Sequence, residues 1–394
     1  MAGTTGLSTT FSLPNYTGAL IGLTPAETPL FSAISGLTGG KQTTSTEFEW
    51  QAFDLRNPGQ NVALEGAAAP TAVARVRSNY TNVVQVHQSK VSVSYSKLAA
   101  VGLKAGTNND QPNPVTDEST WQVMQELVQM KRDIEWSFVN GSYNKPSDNT
   151  GLRKTKGLIS AAASANVTAK ATSTITGLSA ATDTVTETST ALSNGDKIIF
   201  TDVGASTTLV QGRVYYVVNK STNAFKVATT SGGSAVTIGS ATVSYRVPWT
   251  TDLAVSHVNT QLQTVFDAGG LAEQGLGTLL VNSTQKLALS AAYANAYGKF
   301  VESNRTVAGV AVDTIVTDFG TLNVMLSRYV PQDTIVVTSL DQLAPVFLEL
   351  PGKGHFFAEP LAKVGASDDV QLYGEVGLEF GNPNAHGVIT GLKV

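Results

Sequence analysis

Residues 116–141 read TDESTWQVMQELVQMKRDIEWSFVNG, and their reading decides how the rest of the chain is arranged. At helical spacing Val123, Leu127, Met130, Ile134 and Phe138 fall on one stripe, which Trp121, Met124 and Val128 widen. Thr116 or Asp117 offers a side-chain oxygen to the first turn, and Asp117 and Glu118 suit the positive end of the helix dipole. Gly141, after Asn140, is the residue able to turn left-handed and stop the helix. About 23 residues rising 1.5 Å each make a rod of roughly 35 Å, which is long for a globular helix. The opposite face carries Gln122, Gln125, Glu126, Gln129, Lys131, Arg132, Asp133 and Glu135. A rod that is apolar on one side lies across a sheet or another layer, so the stretch 116–140 reads as a structural girder.

The chain of 394 residues is long enough for a sizeable core and for two or three domains. Charged residues make up 14%, against about 25% in typical soluble domains, and Gly, Thr, Ser, Ala and Val lean the text toward strands and turns. A formal charge of −4 argues against a surface built to wrap nucleic acid by neutralising phosphates. With no cysteine, disulfides, thiolate chemistry and Cys-based zinc sites are excluded, and stability must come from packing and partners. Residues 1–17 lack the basic region and apolar core of a signal peptide, and no run is long enough for a membrane span. Asn-x-Ser/Thr triplets such as Asn15-Tyr16-Thr17 and Asn79-Tyr80-Thr81 are chance matches in a Thr-rich chain.

Outward from the girder, residues 1–45 read as an arm broken by Pro14, Pro25 and Pro29. Within it Leu30, Phe31, Ile34 and Leu37 form one amphipathic turn, which must lie on the same chain or on a neighbour. Residues 46–95 read as a long hairpin: Phe48, Trp50 and Ala52 alternate with Glu47, Glu49 and Gln51, and Tyr80 to Tyr95 returns. Its connection, with Asn57-Pro58-Gly59 and the run 66–70, is too long for a tight turn. Residues 96–164 hold the girder between the linker 106–114 and a mildly basic loop with Lys145, Arg153, Lys154 and Lys156. Residues 165–247 carry short β runs at 197–201, 213–219, 224–228 and 235–238 separated by turns, the pattern of an inserted all-β module, read as a sandwich. Residues 248–345 resume with helices at 256–268 (Val258, Leu262, Val265, Phe266) and 283–297 (Leu287, Leu289, Tyr293) and strands at 279–282, 310–317, 324–327 and 334–338. Residues 346–394 end in strands at 370–380, broken by Gly377, and 385–392. No βαβ rhythm appears, so the class is α+β with an all-β insertion.

The chemistry of a catalyst is missing from the text. His87, His257, His355 and His386 have no metal-ligand spacing, and neither a G-x-S-x-G nor a Walker loop occurs. Gly39-Gly40-Lys41 and Gly275-Leu276-Gly277 read as turns, and Glu47/Glu49, Asp368-Asp369 and Glu375/Glu379 as strand alternation or turns. Arg75 and Arg77 with Tyr80 form a basic-aromatic patch on the hairpin, and such residues more often cross a subunit boundary than bind nucleic acid. Arg328-Tyr329 before Pro331 is ambiguous in the same way. The expectation is no catalytic, cofactor or metal site.

The order of parts, and the strings TPAETPLF at 24–31, Phe48-Glu49-Trp50, Thr317-Asp318-Phe319-Gly320, Arg328-Tyr329-Val330-Pro331, GEVGLE at 374–379 and AHGVI at 385–389, resemble tailed-bacteriophage major capsid proteins of the Hong Kong 97 type. The resemblance covers roughly residues 18–160 and 250–394, and the insertion is similar to the small immunoglobulin-like β modules on phage virion proteins. It implies that 46–95 is an extended loop lying over an adjacent subunit. It also implies that the girder and the closing strands form a peripheral domain, and that residues 248–345 form an axial domain at capsomer centres. Family members that crosslink use a Lys and an Asn, and neither position aligns here. With only 45 residues before the hairpin, scaffolding is expected from a separate protein.

The function expected is a self-assembling shell protein in the virion, built up in the bacterial cytoplasm. Its partners would be copies of itself in hexamers and pentamers, with separate scaffolding, portal and decoration proteins. Contact with packaged double-stranded DNA would be weak and non-specific, and no membrane is involved. Shells need head-to-tail contacts that close, and the residues expected to make them are Leu30, Phe31, Phe48, Trp50, Arg75, Arg77 and Tyr80. Two rivals are a secreted surface-layer or adhesin-like β protein, which would need an export signal, and a hydrolase whose site assembles from distant residues.

Overall fold

From its first described residues the chain builds an arm, a hairpin and a long helix before it commits to its central sheets. The structure is a computed structural model that describes residues 24–53, 55, 58–99, 117–148, 150–170, 172–175, 177–187, 191–204, 208–239, 242–271, 277–297, 312–362 and 365–394. The first 23 residues of the arm, the linker 106–114 and Thr116 lie outside these.

In order, the first part holds α1 (Pro29–Ala33), β1 (Lys41–Thr43), β2 (Glu47–Phe53), β3 (Arg77–Val83), β4 (Gln85–Ser94), α2 (Tyr95–Ala99), α3 (Glu118–Asn140) and α4 (Leu158–Ala161). After β5 (Val167–Thr168) come β6 (Thr172–Ile175), β7 (Gly177–Ser179), β8 (Thr184–Thr186), β9 (Lys197–Asp202), β10 (Val214–Val218), β11 (Ala224–Ala228) and β12 (Val243–Arg246). Then follow α5 (Val255–Asp267), β13 (Gly277–Val281), α6 (Ser283–Tyr297), β14 (Val312–Thr317), β15 (Gly320–Leu326) and β16 (Ile335–Ser339). The chain closes with β17 (Ala344–Leu348), β18 (Phe356–Pro360), β19 (Ser367–Glu379) and β20 (Gly387–Ile389).

Helix α3 begins where the Asp117 carboxylate accepts the backbone N–H groups of Ser119 and Thr120 at 3.0 and 3.3 Å. Its apolar stripe is fully buried only in the second half. Met130, Ile134 and Phe138 are interior, whereas Trp121, Val123, Leu127 and Val128 are half-buried and Met124 is exposed. The reason is that Ile134, Phe138 and Val139 enter a core shared with α1, α4 and both central sheets, while the earlier turns lie beside β4 and α2. The helix does not end on a left-handed glycine. Gly141 has φ −55° and ψ 134°, and its lack of a side chain serves close approach instead. A Cβ there would stand 2.4 Å from the Ser137 carbonyl and 2.5 Å from that of Thr155.

One central sheet is organised on β19, with β4 along one edge and β18 and then β17 along the other, and β1 parallel outside β17. Gly377 does not break this strand, which runs straight through it. The return half of the predicted hairpin is likewise two strands. β3 pairs with β2, while β4 leaves the hairpin and joins β19 over ten residue pairs. The switch follows a change of phase: Val83 and Val84 are both buried, and the inward positions then become His87, Val91 and Val93. The other central sheet has the order β14-β15-β13-β16-β20-β5, covered by α5 and α6, whose Leu262, Leu289 and Tyr293 pack on it while Leu287 faces outward. The third sheet, β6-β12-β9-β10-β11-β8-β7, lies wholly within residues 172–246 and has a hydrophobic core of its own. Residues 235–238 make only a bridge from Ala235 to Ala228, not a strand.

Candidate assembly interface

The hairpin is pinned at its base and open at its tip. β2 and β3 pair from Glu47↔Val83 to Phe53↔Arg77, and alternation puts Phe48, Trp50 and Ala52 on the inward side. The Trp50 indole N–H donates to the Gly381 carbonyl at 2.7 Å and its ring meets Phe380 edge-on at 4.7 Å. Phe48 stacks on Trp50, and Tyr80 lies across from it at 6.4 Å. Gly377 makes room for this: a Cβ there would fall 2.6 Å from the Phe48 ring and 2.8 Å from the Val83 carbonyl. Phe48, Trp50 and Tyr80 are therefore half-buried on their own subunit, as the fixed root of the ribbon.

Beyond the root the burial vanishes. Every described residue from Gly59 to Asn79 is exposed, including Arg75 and Arg77. Phe53, Leu55, Val62, Leu64, Val73 and Val76 all turn to solvent, Leu64 with 86% of its surface. Six large apolar side chains exposed along one ribbon are more than the scattered exposure usual in a monomer.

The arm is different, and here the expected interface needs correcting. Leu30 and Phe31 are 0% and 1% exposed, sunk into the chain's own core with Ile34. Phe31 meets Phe138 edge-on at 5.7 Å. Their side chains have no surface left to offer a neighbour. The cause is Glu135, which helical periodicity places on the polar face of α3 and which is 0% exposed. Its carboxylate accepts the backbone N–H of Leu30 at 3.1 Å and of Phe31 at 2.6 Å, and the Ser327 hydroxyl donates to it at 3.4 Å. α1 has no side-chain cap of its own, so a residue about a hundred positions away fills that role. Burial pushes the Glu135 carboxyl up to about 7, against the pull of the two backbone N–H groups.

Magnitudes show why this carboxylate matters. Burying Leu30, Phe31 and Ile34 stabilises the docked turn by roughly 1.5–3 kcal/mol each. Ordering five backbone residues costs about 1–2 kcal/mol each. The two nearly cancel, and a helix this short does not hold itself together. The hydrogen bonds to Glu135 tip the balance.

The histidines play structural parts. His386 accepts from the Thr338 hydroxyl at Nδ1 (2.9 Å) and donates from Nε2 to the Phe380 carbonyl (2.7 Å), and burial lowers it to about 4. His87 is lowered to about 4 by burial as well, and the His257 Nδ1 accepts the Ala254 N–H. His355 lies at the surface end of β18, its ring beside Phe347. Among the described residues no group of three or more His, Cys, Asp or Glu could hold a metal ion. In the basic loop Lys145 pairs with Glu47 at 2.5 Å and Arg153 with Glu375 at 2.9 Å, while Lys156 lies over the Phe380 ring. Arg328 lies 3.4 Å from Glu27 of the arm.

Solved phage capsid structures are similar in fold over almost the whole chain. The capsid asymmetric unit of cyanophage A-1(L) is similar at 11% identity, with 99% of each chain covered and a TM-score of 0.53. A structure of Microbacterium phage Oxtober96 is similar at 12% identity, with 99% of each chain covered and a TM-score of 0.50. These likenesses show the Hong Kong 97-type capsid fold. No curated protein matches the chain. The family model described as SU10 major capsid protein matches residues 3–393, and so the chain belongs to the SU10 major capsid protein family.

Proposed function

We propose that each subunit of the shell is completed by its neighbours through the ribbon between Phe53 and Arg77. The protein is a major capsid protein, the structural unit of an icosahedral phage shell, and it resides in the virion. The observation that carries the proposal is the exposed apolar tip, because six large side chains in water on a pinned ribbon are stable only when another surface covers them. Phe48, Trp50 and Tyr80 set the angle at which the ribbon leaves the body, and Arg75 and Arg77 border the contact.

Hexamers and pentamers of this chain, and separate scaffolding, portal and decoration proteins, are part of the same reading. The low net charge suits a lining that holds DNA only weakly. In this reading the girder and the sheet on β19 are the peripheral domain and the sheet on β13 is the axial one. The module's separate core supports an inserted all-β domain, and its immunoglobulin-like character is part of the proposal. The role is structural and asks for no catalysis.

The test is charge reversal of Arg75 and Arg77 together. Both are exposed, so circular dichroism should stay unchanged while electron microscopy finds no closed shells. Normal particles from the double variant would refute the assignment.

A further inference from the structure

The inserted module and the end of α3 line a cavity. Its volume is about 320 Å³, at the small end of ligand pockets, room for one ring and not for a chain. One wall is Trp136, 40% exposed although its helical neighbours Ile134, Phe138 and Val139 are buried. Asn140 of α3 and Asp202, Gln211 and Arg246 of the module complete the lining. Thr390 belongs to the same lining and is 4% exposed, and its buried hydroxyl has no hydrogen-bond partner among the described residues. A buried hydroxyl left in that state is destabilising unless something in the cavity meets it.

The charges narrow the ligand. Arg246 is held by Asp333, Nε to Oδ2 at 2.5 Å, so its charge is already matched. The carboxylate of Asp202 accepts only the Gly204 N–H at 2.8 Å among the described residues. A phosphate or carboxylate would meet Asp202 with no spare cation, which disfavours an anion. What remains is the Trp136 wall, the Gln211 amide, the Thr390 hydroxyl and one acceptor carboxylate. That combination suits a neutral ring with an apolar C–H face and several hydroxyls. We propose that this cavity between Trp136 and the inserted module binds a neutral saccharide, one ring at a time.

The test uses assembled shells of the full chain, titrated with glucose, galactose, mannose and N-acetylglucosamine. Saturation-transfer NMR reports the sugar, and inorganic phosphate serves as the anionic probe. We expect one of these sugars to bind with a Kd on the order of 1–10 mM, and Trp136→Ala and Gln211→Ala each to weaken it about tenfold. Both side chains reach solvent, so shells should form normally in electron microscopy. Equal binding of the methyl glycoside would assign the site to the end of a polysaccharide, and loss of binding to a free sugar. Binding of none of the four, binding unchanged in both variants, or binding of phosphate in their place would overturn the proposal.

Discussion

Replacing Glu135 by Gln tests how the buried carboxyl group that meets the α1 amides couples the arm to pH. The docked carboxyl lies near 7, against an ordinary 4.5. A group whose folded value is raised takes up a proton on folding, so its contribution favours the folded chain at low pH and is lost as pH rises through about 7. Between pH 8 and pH 5 the shift is worth about 2–3 kcal/mol, at 1.36 kcal/mol per unit. Among the described residues no cation pairs with Glu135, so no salt bridge offsets this. Global stability will not show it directly. His87 and His386, both held near 4, pull the other way, because a depressed His loses stability as pH falls below about 6.5. The measurement is therefore a difference: hydrogen-exchange protection factors for the α1 amides in the native protein minus those in Glu135→Gln, at pH 5 and pH 8. Protection in the native protein should rise toward pH 5 by the equivalent of about 2 kcal/mol, and the variant should stay flat. An equal pH dependence in both proteins, or protection that rises toward pH 8, would sink the reasoning.

Three further outcomes follow from the geometry. Gly377→Val should free the hairpin root, since its side chain would overlap the Phe48 ring and the Val83 carbonyl; the cost should be about 1–3 kcal/mol, read by denaturant melts and by faster exchange across β2 and β3. Arg246→Met leaves Asp333 buried without its partner and should destabilise the seam between module and body by about 3–5 kcal/mol. Exchange in β12 and at Gly391, whose N–H also donates to Asp333 at 3.1 Å, checks it. His386→Gln keeps hydrogen-bonding groups but cannot titrate, so the loss of stability between pH 6.5 and about 4 should be shallower than in the native protein, as acid melts will show.

The girder was readable because a period of 3.6 residues survives in any context that buries one face, and Asp117 announces its own cap. The hairpin root was readable because Phe48, Trp50 and Ala52 alternate, and the inserted module because its turns are dense in Gly, Asn and Ser. What the text hid depended on partners distant in sequence. Glu135 sits at a polar phase of the helix, and only the fold brings two unpaired N–H groups of α1 to it. Gly141 and Gly377 look like a stop and a break until the backbones and rings that crowd them are in place. Leu30 and Phe31, expected at a subunit contact, lie in the core instead, since an apolar pair carries no address that tells a neighbour from the same chain.

From its residues alone the chain determined a long one-sided helix, a ribbon with an aromatic root, an all-β insertion and a text free of catalytic spacing, because each of these is a local pattern of polarity or turn chemistry. Tertiary structure alone decided that the turn with Leu30, Phe31 and Ile34 packs into the chain's own core while the ribbon tip stays in water. The physical reason is that burial belongs to pairs of surfaces, and one carboxylate in the interior supplies the hydrogen bonds that the arm's single turn cannot make for itself.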